Sequence, residues 1–345
     1  MNRPLRIGLV APVWLPVPPD TYGGTEAVVA LLYRRYVEAG HDVVLFATGD
    51  STVSREAVRS VTARGLIEHM AAGEALAYEH YVNALAAEVV GSSRGFDVIH
   101  SHLGLAQLPA LSLAACPVVQ TLHTPLDIDD CWIAGRYPGV EMVALTHAQA
   151  KRLSRPVTVV PSGLDLGEYP ATKSAGPHLA FLGRMGPGKN PLGAIQVAAS
   201  SGRPIVLAGA PQNREERDYF RTEIEPLIDG DSVRYLGPVD HPAKTRLLSD
   251  ACAMLFPIVA DEAFGLVMIE AMACGTPIVA RGHSSVPEIV DEGVTGFYAD
   301  DLDELSSLVD DAAALDRAAI RRRTEERFSY QRMGDRYLSL FEGLV

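Results

Sequence analysis

Two glutamates eight positions apart, Glu262 and Glu270, stand in the run Asp261-Glu262-Ala263-Phe264-Gly265-Leu266-Val267-Met268-Ile269-Glu270-Ala271-Met272-Ala273-Cys274-Gly275-Thr276-Pro277. Gly275 and Pro277 read as a helix stop, and the helix they end begins near Phe264 or Gly265. Unpaired amides at such a start, with the positive end of the helix dipole, suit a phosphate or electronegative sugar oxygens. Gly265 lets a ligand approach the backbone. Glu262 falls just outside the helix and Glu270 about two turns inside it. As fixed hydrogen-bond acceptors the two can therefore serve different parts of one extended ligand, sugar hydroxyls and a ribose. A solvated helix with two ordinary surface acids is the plainer alternative. Against it, Glu270 lies among Ile269, Ala271, Met272 and Ala273, where burying a carboxylate without a partner is costly.

A second stretch, Phe181-Leu182-Gly183-Arg184-Met185-Gly186-Pro187-Gly188-Lys189-Asn190-Pro191, passes from a strand-like run into a helix, with Pro191 in its first turn. Glycines and two cations between strand and helix describe a phosphate site: Arg184 can grip oxygens in a fork, and Lys189 adds a point charge. Gly183, Gly188 and Lys189 also fit the G-x4-G-K of a nucleoside triphosphatase loop. Asn190 then occupies the place of the Ser or Thr whose hydroxyl holds magnesium, so that reading fails at its decisive position. A solvated basic turn is the other alternative.

The Glu262–Glu270 stretch resembles the E-x7-E motif of the retaining glycosyltransferase family 4, and Gly183–Asn190 looks like that family's GR-x(n)-KN segment. The resemblance covers most of the chain, with its motifs in order. It implies an α/β GT-B fold, two doubly wound Rossmann-like domains facing a central cleft. It assigns Glu262 to the donor sugar, Glu270 to the nucleotide ribose, and the amides of Phe264, Gly265 and Leu266 to sugar and diphosphate. Arg184 and Lys189, beside Gly183, would neutralise the diphosphate in place of a metal. Tyr235-Leu236-Gly237-Pro238-Val239 resembles the segment against the nucleobase, which makes Val239 a base contact. The implied co-substrate is a nucleoside diphosphate sugar, with no other cofactor and no metal.

In the first half, Gly23-Gly24-Thr25-Glu26 follows a Pro-rich loop and precedes a helix that Thr25 is placed to cap. A tight turn would read the same; the resemblance sets Gly23 and Gly24 against the donor diphosphate and acceptor. His123 ends the run from Val118 and precedes Thr124-Pro125. A histidine there is often a hydrogen-bonded core residue, but the resemblance puts it beside the donor sugar, orienting it and stabilising developing charge rather than acting as a nucleophile. Asp97-Val98-Ile99-His100-Ser101-His102 resembles the family's D-V-I-H-x-H strand end. His102 is then an acceptor residue and His100 is as readily structural. His147, after another strand, and Tyr22 join the acceptor set. Trp14 and Trp132 fit core packing or a loop anchor better than sugar stacking. Asp127-Ile128-Asp129-Asp130 holds a D-x-D that reads as solvated loop acids, or as a contact to acceptor hydroxyls, rather than a metal site. Pro161-Ser162-Gly163 departs from the family's P-N-G, which touches interdomain contacts and not catalysis.

These residues must be held by alternating elements. Strand-like runs at Ile7–Ala11, Asp42–Thr48, Val98–Ser101, Val118–His123, Met142–Thr146 and Val157–Val160 are separated by helix-length segments. A second series runs through Leu179–Leu182, Pro204–Ala208, Val233–Leu236, Ala253–Pro257, Pro277–Ala280 and Gly296–Ala299. Such alternation predicts parallel βαβ units, with ligands at the carboxyl ends of the strands. The Pro- and Gly-rich stretch 161–177 reads as the linker. The domains expected are 1–165 for the acceptor, 166–325 for the nucleotide sugar, and 326–345 as a helix packing back on the first domain.

A chain of 345 residues suits two cores. A formal charge of −13 is a poor match for nucleic acid. Cys116, Cys131, Cys252 and Cys274 form no zinc or redox pattern. No apolar stretch reaches spanning length or resembles a signal peptide, so a cytoplasmic location is expected. The reading is a metal-independent, retaining hexosyltransferase acting on a sugar-containing or hydroxylated acceptor. The alternatives are a nucleotide-sugar epimerase, which converts donor alone, and a binding protein without turnover. A phosphorylase would need a far longer, cofactor-bearing chain.

Overall fold

The computed structural model describes residues 3–20, 23–53, 57–71, 76–172 and 174–345. The chain divides into two compact units, Met1–Gly163 with Tyr330–Val345, and Leu164–Ser329. The boundaries read from sequence lie at 165 and 325.

The first unit is built on strands β1 (Arg6–Val10), β2 (Asp42–Phe46), β3 (Val58–Arg59), β4 (Val98–Ser101), β5 (Val118–Thr121), β6 (Glu141–Ala144) and β7 (Thr158–Val159). Among the described residues they form one parallel sheet in the order β3-β2-β1-β4-β5-β6-β7. The second unit carries β8 (Leu179–Leu182), β9 (Ile205–Ala208), β10 (Val233–Tyr235), β11 (Ala253–Phe256), β12 (Ile278–Arg281) and β13 (Gly296–Ala299). Their order is β10-β9-β8-β11-β12-β13, again parallel. In both sheets the strand order reverses once, between β1 and β4 and between β8 and β11. At such a switch point the crossovers leave in opposite senses, and a crevice opens outside the carboxyl ends of the strands. The glycine loops follow β1 and β8, and the histidine and acidic segments follow β4 and β11.

Parallel strands covered on both faces must be continuously apolar. β8, β9 and β11 are apolar and buried along their whole length. The short β3 escaped the sequence reading because two residues leave no periodicity.

The helix Tyr330–Glu342 belongs to the first unit. It lies on the helix Gly24–Glu38, where Gly334 permits close approach: a Cβ there would come within 2.4 Å of Arg35 Cγ. Arg35 pairs with Asp335 at 2.5 Å, Arg34 stacks over Tyr330 at 4.4 Å, and Tyr337 Oη lies 2.9 Å from Thr121 Oγ1.

The boundary between the units falls inside the stretch 161–177, and from Leu164 onward that stretch packs within the second unit: Leu164, Leu166 and Tyr169 are buried, and Leu164 N–H donates to Phe328 O at 2.8 Å. One local expectation is corrected. Thr25 caps nothing, since the helix starts at Gly24 with Gly23 as its cap and no side-chain hydrogen bond. Among the described residues no helix is long and apolar enough to cross a membrane.

Candidate functional site

In the second unit, the loop from β8 to the helix Pro191–Ser200 is shaped by Asn190. Its backbone is left-handed (φ 59°), its Oδ1 accepts from Gly193 N–H at 3.0 Å, and its Nδ2 donates to Pro257 O at 3.0 Å. The residue that spoiled the triphosphatase reading is thus an N-cap that also ties this loop to the end of β11. Amides of Val259 and Ala260 both donate to Gly188 O at 3.1 Å, which completes the connection.

Lys189, so placed, donates to Glu262 Oε2. Arg184 is half-exposed, 3.3 Å from Glu216, whose other oxygen accepts from Gln212 N–H at 2.8 Å. Gly186 makes room for Glu216, because a Cβ there would sit 2.7 Å from its Cγ.

Glu262 has its backbone held on both sides by one hydroxyl: its N–H donates to Ser284 Oγ at 3.0 Å, and Ser284 Oγ donates to Glu262 O at 2.9 Å. Ser284 adopts the left-handed region (φ 55°), unusual for a residue with a Cβ. Next to it, His283 pairs with Asp261 at 3.0 Å.

The helix Leu266–Ala273 starts from Gly265, whose φ of 88° only glycine adopts freely. Phe264, just before it, is buried edge-on against Phe328, with centroids 5.9 Å apart. On its second turn Glu270 is 9% exposed and has the partners its burial demands: Lys244 Nζ at 2.5 Å and Tyr169 Oη at 2.9 Å, both on Oε1. Burial first, and then the Glu270 charge, push the Tyr169 phenol well above its ordinary pKa, so it acts as a donor. Val239 is half-buried behind Gly237, whose carbonyl accepts from Gly209 N–H at 2.8 Å.

In the first unit, three histidines cluster at the carboxyl ends of β4 and β5: His100 within β4, His102 and His123 just past the two strands. His100 is fully buried between Tyr36 Oη at 3.0 Å and Thr121 Oγ1 at 2.9 Å. His102, 3% exposed, meets His123 through Nδ1···Nε2 at 2.7 Å, while its own Nε2 is buried without a partner. Burial holds all three below the ordinary histidine value, His123 at about 4, so each ring is neutral at pH 7. In a neutral pair one nitrogen donates and the other accepts, which fixes both tautomers together.

Gly23 is pressed against the Pro-rich loop: a Cβ would come within 2.8 Å of Leu15 and Pro19. Gly24 opens the helix. His147 is exposed at the start of the short helix His147–Ala150, capped by Thr146. Tyr22 lies outside the described residues. Trp14 stacks on Tyr78 at 4.0 Å, an internal role, and Trp132 is 67% exposed. Asp127 and Asp130 form a capping box at the start of Ile128–Arg136. Among the described residues no group of three or more His, Cys, Asp or Glu is arranged to hold a metal ion.

The family profile for glycosyl transferases group 1 matches residues 170–328, and that for glycosyltransferase family 4 matches residues 22–168. The D-inositol 3-phosphate glycosyltransferase of Frankia alni is 30% identical over 353 residues, covering 82% of this chain and 86% of the relative. The chain belongs to glycosyltransferase family 4. A second D-inositol 3-phosphate glycosyltransferase, from Kribbella flavida, is 29% identical over 86% of this chain and 84% of its own. Anabaena HepE in complex with UDP-glucose superposes with a TM-score of 0.75 at 18% identity, covering 99% of this chain and all (100%) of that one. The family 4 chain is a glycosyltransferase with the α/β GT-B fold.

For this glycosyltransferase the structure brings Lys189 to Glu262 and His102 to His123. It tethers Arg184 to Glu216 and places His147 at a helix start. Sequence reasoning missed Tyr169, Lys244, Glu216, Ser284 and Gln149. Only Glu270 carried a signal for two of them, as a carboxylate in an apolar helix that needed a partner.

Proposed function

We propose that this glycosyltransferase moves a hexose-type sugar from a nucleoside diphosphate to a hydroxyl of a small-molecule, glycan or lipid-linked acceptor, with retention of anomeric configuration and no catalytic metal. The observation that carries the reading is the loop after β8. It offers two cations, Arg184 and Lys189, and Lys189 is already partnered by the acid expected to meet the sugar, Glu262. A donor diphosphate takes over part of the Lys189 charge, and Glu262 turns to sugar hydroxyls. The amides at the start of Leu266–Ala273 add the helix dipole, and Glu270, hydrogen-bonded to Lys244, accepts from the ribose.

The acceptor oxygen attacks the anomeric carbon on the face the diphosphate leaves. The glycosidic C–O bond forms as the C–O bond to phosphate breaks, and the acceptor proton passes to the departing phosphate oxygen. Arg184 and Lys189 hold the charge released. His123, being neutral, contributes a hydrogen bond and an orientation rather than a positive charge.

Relatives named for D-inositol 3-phosphate make a phosphorylated inositol the first acceptor to try, and the UDP-glucose complex of HepE makes UDP-glucose the first donor. A thermal-shift screen of UDP-, GDP-, ADP- and dTDP-sugars identifies the donor, because a ligand that binds only the native state raises its melting temperature. The product's anomeric proton coupling then reads the stereochemistry, with and without EDTA. An inverted product, or loss of transfer on chelation that magnesium restores, would refute the corresponding part.

A further inference from the structure

We propose that Gln149 is the positioning residue for His123: its carboxamide clamps the backbone on both sides of the histidine. The proposal rests on the reading of His123 as the group that orients the donor sugar. Beyond Thr121 the chain leaves β5 and turns through Leu122, His123 and Thr124 toward Pro125. Carbonyls in this turn fall outside the sheet ladder, and buried carbonyls need partners. Gln149 supplies them. Its Nε2 donates to Leu122 O at 3.1 Å and to Thr124 O at 2.8 Å, while its Oε1 accepts from Leu145 N–H at 2.8 Å.

Both N–H directions of the amide and its oxygen are engaged, and they permit one orientation. Flipped, its oxygen would face two carbonyls and its NH2 group an N–H. Gln149 is 5% exposed, and its own amide is capped by Thr146 Oγ1 at 3.2 Å, so the clamp is anchored to the loop after β6. With the backbone fixed on either side, the His123 ring has one further restraint, its hydrogen bond to His102. Catalytic groups must be held to within about half an ångström of their working position. A side chain that touches no substrate can meet that need through the two carbonyls it grips.

The test follows the histidine rings of the full-length chain, labelled with 15N-histidine, by long-range 1H–15N spectra across pH, with assignments from His100→Gln, His102→Gln and His123→Gln. In the wild type His123 stays neutral down to about 4. In Gln149→Met its midpoint climbs toward the ordinary value of about 6.5, while His100, gripped by Tyr36 and Thr121, keeps its signals. Transfer kcat falls about 10²-fold with donor KM unchanged. An unaltered His123 titration overturns the proposal, and so does a concerted change in all three rings, which marks Gln149 as a general core residue. Should Gln149→Met not fold, Gln149→Asn is read the same way, since it adds no charge and its shorter amide cannot span both carbonyls. Wild-type transfer by His123→Gln would instead remove the catalytic reading and leave the titration result standing.

Discussion

Replacing Lys189 by methionine keeps most of the stem and removes the charge, which isolates the ammonium's part in donor binding. An ammonium and a phosphate about 4 Å apart attract by about 4 kcal/mol at an effective dielectric of 20. Lys189 is not idle before the donor arrives, because it already pairs with Glu262. The net gain on binding is therefore smaller, about 2 kcal/mol, the size of a hydrogen bond to a charged group. That corresponds to roughly a thirtyfold weaker donor. At a donor concentration of 100 wild-type Kd the ligand stabilises the wild type by about 2.7 kcal/mol, and the variant by RT ln 4, about 0.8 kcal/mol. For a unit the size of Leu164–Ser329, about 2–4 °C per kcal/mol turns these into shifts of about 5–11 °C and about 2–3 °C. Losing a donor aimed at the leaving charge lowers kcat by a further factor of about 10²–10³. Differential scanning fluorimetry with and without donor, then initial rates at saturation, measure both. A variant with the full thermal shift and undiminished kcat would mean that Lys189 does not grip the diphosphate.

Lys244→Met should strip Glu270 of its cation inside the second unit and cost on the order of 3 kcal/mol in urea unfolding, with Tyr169→Phe costing about 1 kcal/mol. Equal stabilities for the two variants would contradict the partnership drawn here. Ser284→Ala keeps a strained left-handed backbone and loses both Glu262 contacts, whereas Ser284→Gly relieves the strain. Glycine should therefore be the more stable variant by about 1 kcal/mol, read from melting curves. His123 binds its proton in the unfolded chain below about 6.5 and in the folded chain only below about 4. Its contribution to stability is whole above pH 6.5, declines as pH falls through that window, and levels off near 4, with a total loss of up to about 3 kcal/mol. Urea midpoints at pH 7 and 4.5 measure it, and His123→Gln should flatten the slope; an unchanged slope would refute the assignment.

Expectation and structure agree where the signal is local. Both sheets lie where apolar runs alternate with helix-length segments, because parallel strands buried on two faces leave continuous apolar stretches. The acids at 262 and 270 and the cations at 184 and 189 stood out through residue type and spacing beside glycines. Asn190 is the instructive case: its identity argued against a nucleoside triphosphatase loop, but its hydrogen bonds to Gly193 N–H and Pro257 O explain why an asparagine stands there. Thr25 misled because a threonine beside glycines is a common cap, while the helix is capped two residues earlier, at Gly23, which is pressed against the Pro-rich loop.

What the amino-acid order determined by itself is therefore the architecture of each unit and the inventory of reactive groups, since both depend on neighbours along the chain. Only tertiary structure decided which groups meet. Glu270 finds Tyr169 from 101 positions away and Lys244 from 26. His102 and His123 come together from adjacent strands, 21 positions apart. Gln149 reaches across from the short helix after β6 to the carbonyls on either side of His123. Periodicity and composition carry no information about such encounters: they arise when crossovers bring the ends of separate strands side by side, and burial then makes each polar atom find a partner.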